Sequence, residues 1–333
     1  MQKFLDADSI RKLDQYTIEE NEISSIQLME KAANQFCKWF KNYTINTNPT
    51  VFILCGPGNN GGDGLAISRI LDSSYYVNTF LMASDHYSKD NLLNQESLKK
   101  INSINDLKEF RANLKNADII IDCLFGFGLN RPLEGAYLEL IQNLNKSGKK
   151  IIAVDIPSGI FIDKSSVQNT SVQADITISF QLPKLAFMFP ENDDFIGKWY
   201  CKDIGLSKKF IEDHPSKYYL VDLQMISSIY KPRKKFSHKG SYGHHLVVAG
   251  SYGKIGAALL CGNASLRSGA GLLTMHLPKT AYNIVQSSFP EAMLSIDKHE
   301  RVITEIPESG NYSSISIGCG IGTNKLTFDA IIE

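Results

Sequence analysis

The sequence has no excess of charge of either sign, since its 35 Lys and Arg residues balance its 35 Asp and Glu residues. A chain of zero net charge has no global field that would attract nucleic acid or an anionic membrane surface. We therefore expect a small-molecule partner, with no nucleic-acid partner and no membrane partner. Any anionic ligand must then be held by a local site.

Long hydrophobic runs are also missing. The apolar stretches are interrupted by Asp, Asn or Lys well short of the roughly 20 residues that cross a bilayer. The N-terminal residues, MQKFLDADSIRKLDQ, contain no apolar core of a secretory signal. No pair of the six cysteines has the spacing of a metal or redox motif, which fits a reducing compartment better than a disulfide framework. The sequence therefore predicts a cytoplasmic protein.

The length indicates more than one packed unit. A chain of 333 residues exceeds the roughly 100 to 200 residues of a usual domain, so two domains are expected. Hydrophobic residues make up 43% of the chain and charged residues 21%, a composition that can bury real cores. The composition leaves the oligomeric state open, a homo-oligomer included.

Short buried strands alternate with helical patterns in the first part of the chain. The helical patterns cover residues 7–20, 24–40, 62–71, 107–114 and 136–145. The strand patterns, rich in β-branched and aromatic residues, cover residues 50–55, 75–82, 117–125, 150–156 and 174–180. Such alternation is typical of a parallel sheet with helices on both faces. The fold class is therefore α/β, with an N-terminal doubly wound, Rossmann-like sheet.

A basic stretch, KPRKKFSHK at residues 231–239, interrupts this pattern. Basic runs also occur in nucleic-acid-binding segments, but one this short in an uncharged chain is more typical of a solvated linker. Strand patterns at 245–250, 272–277 and 314–317 and a helical pattern at 255–267 follow. We predict a first domain at residues 1–220, a linker at 221–238 and a second α/β domain at 239–333.

The first predicted strand runs into the segment GPGNNGGDG, from Gly56 to Gly64, and a helix follows. Glycines let the backbone approach an anion closely, and a helix N-terminus supplies free N–H donors. The spacing fits neither the dinucleotide-binding fingerprint nor the P-loop. The segment predicts a phosphate or pyrophosphate site, the alternative being a tight glycine-rich turn.

Two aspartates, Asp122 and Asp155, lie in or directly after buried strands, where an unpaired carboxylate is costly. In open α/β sheets the ligand site lies outside the carboxyl ends of the strands, so their loops should converge with the Gly56 loop. Asn60, Asp122 and Ser158 would offer oxygen ligands to a cation, which leaves Asp155 for an organic substrate. In the alternative, each aspartate caps the amides of a neighbouring loop. His244 and His245 resemble a metal pair but should point to opposite faces of a strand.

These residues carry a resemblance to a known family. GPGNNGGDG, DCLFGFGLNRPLEG and VDIPSGI, with LMEKAA at residues 28–33 and PKLA at 183–186, resemble the NAD(P)H-hydrate epimerase domain over nearly all of residues 1–220. The segments HKGSYGHHLVVAGSYGKIGAALL and ASLRSGAGLLT are similar to the start of the ADP-dependent NAD(P)H-hydrate dehydratase domain, which has a ribokinase-like fold. The resemblance implies a bifunctional NAD(P)H-hydrate repair enzyme.

The resemblance also implies site residues. The implied potassium ligands are Asn60, Asp122 and Ser158. The implied nucleotide contacts of the second domain, which would take ADP or ATP, are Ala257 and Gly322. The implied contacts to the hydrated nucleotide in the first domain are Asn59, Asn60, Gly61, Gly62, Asp63, Gly126, Phe127, Gly128, Leu129, Asn130, Arg131, Pro132 and Asp155.

The implied reaction interconverts the R and S forms of NADHX and NADPHX, and Asp155 is the candidate proton-transfer group. The dehydratase family also needs a later His-Pro segment and a Gly-Asp anion hole, neither of which occurs in these 333 residues. We therefore expect an incomplete ribokinase-like unit without dehydratase activity. The alternative from another class is a scaffold of the same fold without catalysis, as in RNA decapping. A kinase would need phosphoryl-transfer residues that this sequence lacks.

Overall fold

The expected alternation of strands and helices is confirmed in a computed structural model, which describes residues 2–104 and 107–333. The chain divides into two compact units, Met1–Ile229 and Tyr230–Glu333. The helix Leu223–Ile229 lies inside the segment that the sequence predicted as linker. The domain boundaries at residues 220 and 239 stay a prediction.

The first unit contains nine strands and nine α-helices among the residues described. Its strands are β1 (Gln2–Lys3), β2 (Thr50–Cys55), β3 (Tyr76–Met82), β4 (Asn102–Ile104), β5 (Ile119–Cys123), β6 (Lys150–Val154), β7 (Ile176–Phe180), β8 (Lys198–Lys202) and β9 (Tyr219–Leu220). Its helices are α1 (Ala7–Glu20), α2 (Ser25–Tyr43), α3 (Asn59–Leu71), α4 (Lys89–Ser97), α5 (Leu107–Asn113), α6 (Gly135–Asn145), α7 (Asp193–Ile196), α8 (Lys208–Asp213) and α9 (Leu223–Ile229).

Seven of these strands form one parallel sheet in the order β4-β3-β2-β5-β6-β7-β8. The chain moves outward from β2 to β3 and β4, then returns to place β5 on the other side of β2. The strand order therefore reverses between β2 and β5. In open α/β sheets a crevice for ligands forms at such a point, outside the carboxyl ends of the strands. The small pair of β1 and β9 is antiparallel.

Both faces of the large sheet are covered, as a doubly wound fold requires. Along β2, Val51, Ile53 and Cys55 belong to one buried cluster with α1, α2 and α3. Phe52 and Leu54 belong to a second cluster with α5 and α6 on the other face. This assignment follows from the two-residue period of a strand, which sends neighbouring side chains to opposite faces.

Helix α2 illustrates how local sequence and packing agree. Ser24 caps the helix, with a capping box to Gln27 that satisfies two free donors at the helix start. Phe36 and Phe40, four residues apart on the buried stripe, are fully inaccessible to solvent. Full burial of such a side chain contributes about 2 to 3 kcal/mol. The helix is therefore fixed against the sheet, and its first turns can line a site.

The second unit is also a parallel α/β structure. Its elements are β10 (His244–Val248), α10 (Ile255–Ser268), β11 (Leu272–Leu277), α11 (Tyr282–Ser288), β12 (Met293–Ile296), β13 (Ser314–Ile317) and α12 (Lys325–Ile332). The four strands form a sheet in the order β12-β11-β10-β13. Across both units, none of the helices in the described part of the chain is long and apolar enough to span a membrane.

Candidate active site

A cavity of about 640 Å³ opens in the first unit at the carboxyl ends of the central strands. Its walls come from α1, α2, the turn before α3, the loop after β5, and Asp155 after β6. This is the crevice expected where the strand order reverses. Its volume lies within the range of roughly 300 to 1,000 Å³ that is usual for small-molecule sites.

The loop formed by the glycine-rich segment is shorter than the sequence predicted. Helix α3 already begins at Asn59, so only Gly56–Gly58 form the turn and the later glycines are helical. The residue at the cap position is Gly58, which has no side chain that could bond to the helix amides. The first N–H groups of α3 therefore remain available to an anion beside the cavity.

The helical glycines are required by close packing and not by backbone angles. A Cβ atom on Gly61 would lie 1.8 Å from the carbonyl oxygen of Gly56, and one on Gly64 would lie 2.7 Å from the Cβ of Cys123. These glycines let α3 start directly on top of the turn and against β5. Asn91 of α4 completes the arrangement, since its Nδ2 donates to the carbonyl oxygens of Gly56 at 2.9 Å and Gly58 at 3.1 Å.

Asp122 and Ser158 are in direct contact under the cavity. The backbone N and the Oγ of Ser158 donate to the Asp122 carboxylate at 2.8 and 2.7 Å, and the Leu124 N–H donates at 3.1 Å. Asp122 is fully buried, and burial raises its pKa to about 6 despite these hydrogen bonds. The carboxylate thus ties the loop after β5 to the loop after β6. This is the capping arrangement that sequence reasoning kept as an alternative.

Asn60 lies in the first turn of α3 against the loop after β5, where a Cβ on Gly126 would be 3.2 Å from the Cβ of Asn60. Its side chain is 8% exposed, and its Nδ2 is buried without a hydrogen-bond partner among the described residues. A buried polar atom without a partner is rare in proteins. Because Asn60 also lines the cavity, its amide is available to a ligand there.

Asp155 presents its carboxylate from a strained backbone. Its φ of 65° is a left-handed conformation that residues other than glycine seldom adopt, and such strain clusters at functional sites. The Nζ of Lys184 lies 2.9 Å from its Oδ1. The side chain of Asp155 is 8% exposed and that of Lys184 is 3% exposed. The Oγ of Ser179 and the N–H of Phe180 each donate to the same oxygen at 3.3 Å. These three donors hold one carboxylate oxygen of Asp155 in place and leave the other without a hydrogen-bond partner among the described residues.

Two further carboxyl groups, Asp14 of α1 and Asp63 of α3, line the same cavity. Burial raises the pKa of Asp14 to about 7; the charge of Lys184 opposes this shift and that of Asp155 adds to it. Burial also raises the pKa of Asp63 well above its ordinary value, with smaller contributions from Asp155 and Asp14. The cavity wall therefore holds two carboxyl groups whose pKa values are raised by burial. Perturbed carboxyl groups in a cleft are typical of functional sites.

Most of the residues predicted for the first domain come together around this cavity. Gly61, Gly62 and Pro132 do not line it, and Asp122 and Ser158 lie beneath it. The predicted residues that line it are Asn59, Asn60, Asp63, Gly126, Phe127, Gly128, Leu129, Asn130, Arg131 and Asp155. Sequence reasoning missed Asp14, Asn91 and Lys184 as site residues. Lys184 was inside a motif quoted for the resemblance, which was the only signal for it.

In the second unit, the turns after β10 and β13 meet at the start of α10. The N–H of Gly250 donates to the carbonyl of Cys319 at 2.8 Å, and the Ser251 Oγ donates to the carbonyl of Gly320 at 2.7 Å. A Cβ on Gly320 would lie 2.9 Å from the Cβ of Ala257. Gly322 is the last glycine of the second turn. Ala257 and Gly322 therefore belong to one glycine-rich edge of this sheet.

The adjacent histidines do not form a metal pair. His244 contacts the Oγ1 of Thr274 at 2.8 Å, whereas His245 contacts the Oγ of Ser314 on the other neighbouring strand at 2.7 Å. Throughout residues 2–104 and 107–333, no group of three or more His, Cys, Asp and Glu side chains is arranged to hold a metal ion. A cation site in this part of the chain would therefore combine a carboxylate with hydroxyl, amide or carbonyl oxygens.

The first unit is similar to known proteins in sequence and in fold. The family of the YjeF-related protein N-terminus matches residues 25–186. An NAD(P)H-hydrate epimerase of Anaerococcus prevotii is 35% identical over 216 residues, which cover 62% of this chain and 97% of that protein. The chain belongs to the NAD(P)H-hydrate epimerase family. The yeast protein YNL200c shares the fold, with a TM-score of 0.56 and 21% identity over 67% of this chain and 98% of the yeast chain.

The similarity to repair enzymes extends through the second unit. The NAD(P)H-hydrate dehydratase family matches residues 245–333. A bifunctional NAD(P)H-hydrate repair enzyme of Dictyoglomus turgidum is 30% identical over 97% of this chain and 66% of its own length. The chain spans 58 to 66% of the length of the first such relatives. Both families are thus represented, and the doubt that sequence reasoning raised about the dehydratase part is not supported.

Proposed function

We propose that the first unit epimerises the R and S forms of NADHX and NADPHX, which are nicotinamide nucleotides hydrated at ring carbon C6. The observation that carries the proposal is the buried pair of Asp155 and Lys184, set in a cavity beside the free N-terminus of α3. The pair supplies a proton-transfer group, and the helix N-terminus favours a pyrophosphate. The name of the Anaerococcus relative adds support.

The chemistry suits a carboxylate in this position. C6 bears both the ring nitrogen and the hydroxyl, so the hydroxyl leaves as water when it is protonated, and the nitrogen lone pair forms an iminium. Water then adds to the other face of the ring and loses a proton, and no C–H bond breaks. Asp155 would exchange a proton at this oxygen, with Lys184, Ser179 and Phe180 holding its other carboxylate oxygen in place.

The residues under the cavity fit a potassium ion. Asp122, Ser158 and the amide of Asn60 are hard oxygen donors, and the carbonyl of Phe125 lies within 3.2 Å of the Ser158 Oγ. Only the Oδ1 of Asn60 would face the cation, and the partnerless Nδ2 would then donate to an acceptor group of the substrate. A bound cation would neutralise charge near the pyrophosphate and orient the loop after β5.

For the second unit we propose a contact with ADP or ATP through Ala257 and Gly322, in support of NAD(P)HX dehydration. The support is the family match together with the glycine-rich edge at the start of α10. Lys254 stands at the cap position of α10 without a side-chain bond to the helix amides, so no side chain occupies the place of a phosphate at this helix start. We also propose that the protein works in the cytoplasm.

The test is a chromatographic assay of R-to-S conversion of a single NADPHX epimer by the purified protein. We expect conversion well above the uncatalysed rate, and a higher rate in potassium chloride than in choline chloride. Asn60→Ala should remove the response to potassium, whereas Asn34→Ala, which changes an exposed asparagine of α2, should keep it. Conversion at only the uncatalysed rate would reject the proposed function. A potassium response that survives in Asn60→Ala would reject the cation site alone.

A further inference from the structure

Helix α1 brings an ionisable group into the cavity that lies outside the matched family segment. The family match begins at residue 25, whereas Asp14 is in the middle of α1. The buried side chains of Ile10, Leu13 and Thr17 fix the helix, and Ile10, Arg11, Asp14 and Ile18 form its cavity-lining stripe. The Thr17 Oγ1 accepts the Ser207 N–H at 3.0 Å, which ties α1 to the far end of the unit. Asp14 is therefore held in place at the cavity wall.

Asp14 and Asp155 differ in what surrounds them. Asp155 has three donors on one oxygen, one of them the Lys184 ammonium at 2.9 Å. The carboxyl of Asp14 has no hydrogen-bond partner among the described residues of the cavity wall. The unpaired amide of Asn60, which is 8% exposed and lines the same cavity, independently indicates that a polar ligand belongs there.

The charged groups that share the cavity with Asp14 come from several elements. Lys184 and Asp155 form an ion pair in its wall, Asp63 lies on α3, and Arg131 lies on the loop after β5. Arg11 shares the helix but is paired with Asp8 at 2.6 Å. Burial outweighs the attraction of Lys184, and the pKa of Asp14 rises to about 7. Asp14 therefore gains and loses its proton near neutral pH, as a proton-transfer group must.

We propose that Asp14 is the second proton-transfer group of the epimerisation, acting on one ring face while Asp155 acts on the other. The inference rests on the proposed epimerase function. For one epimer, the Asp14 carboxyl gives its proton to the C6 hydroxyl, the C–O bond breaks with its electron pair on the departing water, and the ring nitrogen forms the C=N bond. A water adds to the opposite face, the C=N pair returns to nitrogen, and the Asp155 carboxylate takes the proton.

The step balances and is reversible. One water leaves and one is added, and a proton has moved from Asp14 to Asp155. The reaction of the other epimer uses the same two groups, with Asp155 as the proton donor and Asp14 as the acceptor. Epimerisation in either direction therefore requires that the two carboxyl groups, Asp14 and Asp155, carry one proton between them. This requirement gives a pH dependence that a structural role for Asp14 would not produce. The rate in both directions should fall about tenfold per pH unit once the pair has lost its proton, above a pH of about 7.

Asp14→Asn provides the test, because the amide keeps the shape of the side chain and does not titrate. We expect kcat/KM to fall at least about a hundredfold in both directions and the decline above pH 7 to disappear. The affinity for NADPH, which lacks the C6 hydroxyl, should stay unchanged. Asp14→Glu restores a proton donor and should recover part of the rate. Glu20→Gln removes an exposed carboxylate from the same helix and should leave the rate and the pH profile as in the wild type.

The outcomes separate the two proposals. A wild-type protein without epimerisation would reject the proposed function. A wild-type protein that epimerises, together with an Asp14→Asn variant that folds and keeps both the rate and the alkaline decline, would overturn the role of Asp14 alone. Unchanged melting temperatures and NADPH binding confirm that each variant is folded.

Discussion

At the scale of single residues, Asp155 is the side chain on which the proposed chemistry depends most. Its backbone is left-handed, its side chain lines the cavity, and Lys184 holds one of its carboxylate oxygens. Asp155→Asn keeps the shape of the side chain but removes the group proposed to exchange a proton. We expect turnover to fall at least about a hundredfold, as losses of general acid–base groups do. Steady-state kinetics measure this, with NADPH binding as the check that the cavity is intact.

The matched control is Asp163→Asn, which changes an exposed aspartate shortly after the same strand. It should leave turnover at the wild-type value. If Asp155→Asn also turned over normally, the proton would have to pass through another group of the cavity, and the role given to Asp155 would be wrong.

The sequence predicted some residues of this site and missed others, for a physical reason. Asp155 and Asn60 directly follow or begin regular elements, so strand order alone brings them to one edge of the sheet. Asp14 and Lys184 reach the cavity only through the packing of α1 and of the segment after β7, which no local pattern encodes. A carboxylate on an amphipathic helix such as α1 looks the same in sequence whether it faces solvent or a cavity.

At the scale of elements, the start of α3 is where the sequence was misleading. The predicted helix began at Gly62 within a segment interpreted as a phosphate-binding turn, but the helix begins at Asn59 and uses Gly61 and Gly64 to approach its neighbours. Helix propensity disfavours glycine, so local reasoning ends the loop too late. By contrast, the five predicted strands of the large sheet agree with the structure within two residues at each end. Their apolar runs are buried on both faces, which gives an unambiguous signal.

The elements that the sequence missed have weak patterns. Helix α4 has the sequence KDNLLNQES and buries mainly polar side chains, among them Asn91 and Asn94. Strand β8 lies at the edge of the sheet and is only partly buried, so its sequence, KWYCK, lacks an apolar run. Tertiary contacts define both elements.

Gly61→Ala tests the packing argument at this scale. Its new methyl group would meet the carbonyl of Gly56 at 1.8 Å, so the turn must move away from the helix start. We expect a lower melting temperature, with a loss of about 1 to 3 kcal/mol or more, and little epimerase activity. Gly58→Ala in the same turn meets no atom within 4 Å and should keep the wild-type melting temperature. Equal melting temperatures for the two variants would contradict the argument.

At the scale of the whole molecule, the proposed epimerase machinery belongs to one unit. All residues that line the cavity fall between Ile10 and Leu206, and both hydrophobic clusters of the large sheet lie within the first unit. The second unit has its own buried clusters around β10 and β11. Residues 231–236, at its beginning, are exposed, and Phe236 is 93% exposed. A protease should therefore cut first in this stretch, because exposed backbone outside regular elements is the easiest to unfold locally.

A chain that ends at Ile229 should consequently fold and epimerise NADPHX with the kcat/KM of the longer protein. The physical reason is that the cut removes no side chain from the cavity and none from the two clusters that support it. The measurement compares the rate and the melting temperature of the short chain with those of the 333-residue protein. A short chain that melts normally but has lost activity would mean that residues beyond Ile229 take part in the reaction. The cavity of the first unit would then be only part of the active site.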